Sequence, residues 1–228
     1  MSEWWTYRPE DFLLFSSRTY WRLFELQNAA LWPLPVLTFA AGVITATVAM
    51  LRPATASRWM LVLLAAAWLF VGWSFLWIRF APINWAMHSV APAFAVEALL
   101  LLAVGAGPNR AFDRYGLRAG LGAGLIITAL FGLPLLAPLQ GRDWAGAEVF
   151  GIAPDPTVIA TLGVLLLTRG RILWLLAPIP LLWCLLSGVT LLTMGEPQAW
   201  VPFTAAALPL AAWIRPTNRR LRSRGIKS

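Results

Sequence analysis

The chain has 228 residues, of which 59% are hydrophobic and 12% charged, with a formal net charge of +8. Soluble domains carry about 25% charged residues, so this composition excludes a water-soluble globule, and the high hydrophobicity excludes a disordered chain. What remains is an all-α polytopic membrane helix bundle, rich in tryptophan, with 14 Trp against one His and one Cys.

The scarce residues remove whole classes of chemistry. Cys184 is the only cysteine, so no intrachain disulfide, Cys-based zinc site or iron–sulfur cluster is expected. His88 is the only histidine, which excludes a bis-His haem and a His-rich metal site within one chain. No glycine-rich phosphate-binding motif occurs. The single lysine, Lys227, lies in the C-terminal tail, so a retinal Schiff base inside the bundle is excluded. No cofactor, no metal and no catalytic cluster are expected, and the chain does not read as an enzyme.

In chain order, residues 1–30 form an aromatic N-terminal region without the basic start of a signal peptide. From Ser17 the pattern is amphipathic. Arg18, Arg22 and Glu25 fall on one side, with Tyr20, Trp21, Leu23 and Phe24 on the other. This predicts a helix lying in the membrane interface, or one packed on the bundle. Residues 31–214 are the bundle. Apolar runs predict spans at 31–51, 59–80, 85–104, 119–136, 156–168, 172–194 and 200–214. The fifth is too short to cross unless 150–153 extend it or the bilayer thins locally. Six spans plus a re-entrant half-helix is therefore the alternative to seven. Residues 215–228 are a basic tail, suited to contact with anionic lipid head groups.

Lys and Arg set the orientation. With seven spans and the N-terminus outside, the inner loops collect Arg52, Arg58, Arg110, Arg114, Arg118, Arg169 and Arg171, and the tail is cytoplasmic. Arg8, Arg18, Arg22, Arg79 and Arg142 remain outside. The positive charge is thus mostly a matter of topology, and nucleic-acid binding is not expected. Pro92, Pro134, Pro178, Pro180 and Pro209 lie within spans and predict kinks or breaks. Gly116, Gly120 and Gly124 have the spacing of close helix packing.

Three groups of residues carry a resemblance. They are Tyr20-Trp21-Arg22-Leu23-Phe24 through Asn28-Ala29-Ala30-Leu31-Trp32-Pro33, the turn Phe80-Ala81-Pro82-Ile83-Asn84, and Phe150-Gly151-Ile152-Ala153-Pro154-Asp155-Pro156-Thr157 leading to Thr161-Leu162-Gly163-Val164-Leu165. Together they resemble an uncharacterised bacterial inner-membrane family, domain of unknown function 6064. The resemblance implies a multi-pass protein of the bacterial inner membrane. It implies no activity and supplies no functional residues.

Glu97 is the candidate of most interest, because it stands alone among apolar residues near the middle of the third span. An intramembrane carboxyl is a functional-site hypothesis by default. Without a counter-charge at its depth it is expected to be held as the neutral acid. Its expected partners are hydroxyls: Thr45 or Thr47, Ser74, Thr128, Thr161, Ser187, Thr190 or Thr204. It reads either as a proton carrier or substrate anchor, or as a neutral interhelical hydrogen bond. His88 sits nine residues away on the opposite helix face, about 13.5 Å along the axis, so no Glu97–His88 relay is expected.

Arg79 ends the second span and is expected to pair with a carboxylate of the 137–155 loop, Asp143, Glu148 or Asp155. Asp155-Pro156 reads as helix N-cap and first residue. Alternatively, Arg79, Asn84 and Asp155 line an outward-facing polar cleft. Most tryptophans suit interfacial belts, whereas Trp183 and three others lie deeper: Trp68, and Trp73 and Trp77, which are four apart and share a helix face. These three read as core packing, or as a stripe for a quinone or isoprenoid. The functional expectation is a small permease or carrier using Glu97. The alternatives are a non-catalytic accessory subunit of a membrane complex and a quinone- or lipid-binding protein.

Overall fold

A computed structural model describes residues 15–51, 53–107, 112, 115–168 and 172–214. The N-terminal Trp4, Trp5 and Arg8, the loop arginines Arg52, Arg110, Arg114, Arg169 and Arg171, and the basic tail 215–228 lie outside the described residues. Among those described, every regular element is helical.

Helix α1 (Ser17–Ala30) starts at Ser16, whose hydroxyl accepts a hydrogen bond from the Thr19 amide at 3.2 Å. Its apolar face, with Tyr20, Trp21, Leu23 and Phe24, is buried, and so are Gln27 and Asn28. That face is covered by protein, so α1 is a cap across one end of the bundle rather than a helix sunk in lipid. The aromatic contacts show this: Tyr20 lies 5.7 Å from Phe80 and Phe24 lies 4.8 Å from Phe75, ring centre to ring centre.

Four helices are long and apolar enough to cross a membrane: Leu34–Leu51, Ser57–Phe80, Met87–Ala106 and Leu117–Leu139. They coincide with the first four expected spans. The first is α2 (Leu34–Leu51). The second comprises α3 (Pro53–Val71) and a π-helical stretch, Gly72–Phe80. The third is α4 (Met87–Ala106), with Pro92 inside it. The fourth is α5 (Leu117–Ile127), a π-helical turn at Thr128–Gly132, and α6 (Leu133–Leu139). Pro134 lies within this continuous helix, directly after the π-helical turn, where its missing N–H interrupts the α-helical hydrogen-bond ladder.

Helix α7 (Pro154–Leu167) has 14 residues, about 21 Å at 1.5 Å per residue. That is shorter than the roughly 30 Å hydrocarbon core. Every residue from Phe150 to Leu166 is buried. It packs against α3, α5, α9 (Pro178–Thr193) and α10 (Trp200–Ile214). The short α8 (Ile172–Leu176) precedes α9, which opens with Pro178.

The close helix contact is made by other glycines than the Gly116, Gly120 and Gly124 series. A Cβ on Gly120 or Gly124 would meet nothing within 4 Å. The contact is between α5 and α7, where a Cβ on Gly122 would lie 2.7 Å from the Gly163 carbonyl oxygen. Two residues' offset in the sequence separates the open face from the packed one.

Candidate functional site

Glu97 is fully buried on α4, and neither carboxyl oxygen has a hydrogen-bond partner. The expected hydroxyl partners other than Thr204, which is exposed, are engaged elsewhere. Thr45, Thr47, Thr128 and Thr190 each donate to the carbonyl four residues back in their own helix, the habitual side-chain bond of a helical threonine. Thr161 donates to the Thr157 carbonyl and accepts from Trp68 Nε1. Ser74 accepts from Gln27, and Ser187 donates to Asp155. Glu97 lines neither of the two large cavities of the fold. His88 is exposed and meets the Trp77 ring edge-on at 4.8 Å. Among the described residues, no three His, Cys, Asp or Glu are grouped to hold a metal ion.

Arg79 does not pair with a loop carboxylate. Its Nε donates to Gln27 Oε1 at 2.6 Å, and Gln27 Nε2 donates to Ser74 Oγ at 2.9 Å. The π-helical stretch explains the arrangement. Its hydrogen bonds span five residues rather than four, and Ser74 and Arg79 are five apart. One turn therefore brings both to the side facing α1, where they clasp Gln27. The tryptophan stripe divides. Trp68 is in the core, with its ring 4.3 Å from Phe94, whereas Trp73 and Trp77 are 60% and 41% exposed. Those two do share a face, but it is the outer one.

Asp155 does not cap its helix. The N-cap is Ala153, Pro154 takes the first helical position, and Asp155 lies inside the first turn. Two prolines two residues apart both suit a helix start, and the helix begins at the earlier one. The Asp155 carboxylate turns sideways to α9 and accepts Trp183 Nε1 and Ser187 Oγ, both at 2.6 Å. Asn84 Oδ1 accepts from the Ala86 amide at 3.3 Å and stabilises its own turn. The structure thus gives Arg79, Asn84 and Asp155 separate partners and does not join them in one cleft.

The polar groups that do converge lie beneath α1. The segment after the short 3₁₀ turn Trp144–Gly146 is held by Asn28, whose Nδ2 donates to the Ala145 and Ala147 carbonyls at 2.7 and 2.8 Å. Backbone extended at Ala147 sends successive side chains to opposite sides. Ala147 and Val149 line an apolar cavity, while Glu148 points inward and is 1% exposed. Glu148 Oε1 accepts from Gln198 Nε2 at 3.2 Å, and Gln198 Oε1 accepts from Arg142 Nη2 at 3.2 Å. One amide therefore bridges an acid and a base that make no direct ion pair.

Arg142 also stacks 3.5 Å above the Trp21 ring and donates to Gln140 Oε1 at 2.9 Å. Trp21 Nε1 in turn donates to Glu196 Oε1 at 2.9 Å, and Ser17 donates to the same oxygen. Three buried polar atoms in this cluster remain unpartnered: Glu148 Oε2 and Arg142 Nε and Nη1. The sequence alone places Arg142 on the outer side without a role and offers Glu148 only as one possible partner of Arg79. Nothing in their spacing distinguishes a folded-in loop from a solvated one. The available signal was the single Glu flanked by small and apolar residues at 145–151.

Burial dominates the electrostatics here. It pushes the Glu148 carboxyl from 4.5 up to about 8, with the Asp155 charge adding to the effect. It also lowers the Arg142 guanidinium, which Glu148 partly opposes, and raises the Tyr20 phenol, which Asp155 and Glu148 raise further. Between about 4.5 and about 8 the folded chain keeps a proton on Glu148 that the unfolded chain releases, so this group's contribution to stability falls as pH rises through that interval. Thermal unfolding in mild detergent is expected to show that fall in the native chain and a flatter profile in Glu148→Gln. Equal pH slopes in the two proteins would refute the assignment.

Four helices able to cross a membrane, closed at one end by a buried polar layer, define a helical membrane protein. The chain belongs to the family of unknown function DUF6064, whose model matches residues 17–223. No curated protein and no solved structure matches the chain.

Proposed function

We propose that the chain is a multi-pass inner-membrane carrier with seven spans, its N-terminus outside and its tail in the cytoplasm. The polar cluster beneath α1 takes a small solute from the outer side. Arg142 and Glu148, rather than Glu97, carry the binding. The observation behind this reading is the set of buried, unpartnered atoms on those two side chains, an acid and a base joined through Gln198, whereas the equally unpartnered Glu97 stands alone. Buried donors without partners cost about 1–3 kcal/mol each, and a ligand that supplies partners recovers that free energy.

The chemistry of the atoms selects the ligand class. At neutral pH Glu148 is the protonated acid, able to donate, and Arg142 offers two unpartnered donor nitrogens, Nε and Nη1. A solute presenting acceptor oxygens, above all a small carboxylate, satisfies both. Its entry together with the Glu148 proton gives proton-coupled anion transport.

The test is a panel of small carboxylates added to the purified full chain. A bound member raises the unfolding temperature, by the equivalent of about 2.7 kcal/mol at a hundred times its Kd. In vesicles, the same member drives proton uptake. Arg142→Gln is expected to abolish the stabilisation and the uptake together. No response from the native chain to any carboxylate, or an unchanged response in Arg142→Gln, would overturn the reading. In the same preparation, a reporter fused to the tail reads the orientation, and activity on the outer side would refute it.

A further inference from the structure

Helix α2 is the least enclosed of the long helices: only Pro35, Gly42 and Ala49 of its 18 residues are buried. It leans on α3. It meets the α5–α6 span closely at mid-length, where a Cβ on Gly42 would lie 2.7 Å from Leu130 and 3.0 Å from Phe150. Just beside this waist, the Phe39 and Phe131 rings meet edge-on at 5.4 Å.

A cavity lies on each side of the waist. The one toward α1 measures about 670 Å³ and is lined in part by Trp32, Val36, Phe131, Leu135 and Val149. The other measures about 440 Å³ and is lined in part by Ala46, Met50, Ala123 and Ile126. Both open sideways, since Val36, Phe131, Leu135 and Met50 are exposed on helices long enough to cross a membrane. Among the described residues, no charged one lines either cavity. The single side-chain amide, Asn28, already has its Nδ2 committed to two backbone carbonyls.

We propose that this cleft holds the alkyl chains of bilayer phospholipids, one chain in each half. The waist selects the occupant. A partner's transmembrane helix, or one from a second copy, is a rigid rod about 10–12 Å across and needs a cleft open along its whole length. An alkyl chain reaches about 15 Å, half of the roughly 30 Å hydrocarbon core, and fits one half-cleft without passing the waist. The exposed Trp32 and Trp144 at the larger mouth stand where indoles meet lipid head groups.

The experiment uses the full chain in phosphatidylcholine vesicles whose acyl chains carry a photoreactive diazirine. Peptides containing Val36–Phe39 and Phe131–Leu135 are expected to be labelled more heavily than Leu182–Val189 on α9, which is also apolar and exposed in part. Ala29→Phe and Val36→Trp, both at exposed positions on the cavity lining, are each expected to remove that excess and leave α9 labelling unchanged. Labelling no heavier than on α9 would overturn the proposal. So would an excess that survives in both folded variants, or crosslinks that join two protein chains through the cleft.

Discussion

Asp155→Ala is expected to destabilise the fold by about 4 kcal/mol, because it strands two buried donors at once. Trp183 Nε1 and Ser187 Oγ both point at this carboxylate from α9. With alanine in its place, both buried donors lose the acceptor they share. Asp155→Asn retains one acceptor oxygen and is expected to cost roughly half as much. Chemical unfolding in mild detergent, followed by tryptophan fluorescence, measures both. A loss below about 1 kcal/mol for the alanine variant would show that the α7–α9 link is not a main tie of the bundle.

Gly163→Ala is expected to have a comparable effect for a different reason. The new methyl carbon would sit 2.8 Å from the Gly122 carbonyl oxygen and 2.8 Å from Ile126 Cγ1. A backbone oxygen cannot rotate away, so the two helices must separate. Overpacking of this kind costs about 1–3 kcal/mol and more where the obstruction is rigid. Gly122→Ala meets the same obstruction from the other side, at 2.7 Å from the Gly163 carbonyl oxygen. Gly120→Ala and Gly124→Ala supply the control on the same helix. Their methyl groups meet nothing within 4 Å, and alanine favours helix over glycine by about 1 kcal/mol. They are expected to be neutral or slightly stabilising, and a ranking in which Gly120→Ala is the worst of the four would refute the assigned packing face.

Hydropathy located the four long helices because lipid-facing and core-facing residues are alike apolar, and length alone then marks a span. The same likeness hid which side each residue faces. Trp73 and Trp77 were recognisable as neighbours on one face, yet nothing in their identity said that the face is outward. The π-helical stretch at Gly72–Phe80 also lay beyond periodicity reasoning, which assumes one helical pitch throughout. Arg79 was therefore assigned to a loop carboxylate, when the wider turn carries it to Gln27. Glu97 was legible as a solitary buried acid. Its lack of a hydroxyl partner was not, because it depends on where the threonines of other helices spend their hydrogen bonds. The cluster of Arg142, Glu148 and Gln198 joins residues up to 56 apart. Only the folded-in path of the 140–153 segment brings them together.

The enclosure of α7 bears on how the chain is put together during synthesis. A segment recognised by the membrane-insertion machinery is held by its preference for lipid over water. Helix α7 is short and meets protein on every side, so little of its final stability comes from lipid. Two of the elements that enclose it, α9 and α10, are made after it. Its place is therefore set only when the C-terminal third of the chain has emerged, which makes the seating of this helix a late step of biogenesis and its vacancy the expected defect of a truncated chain.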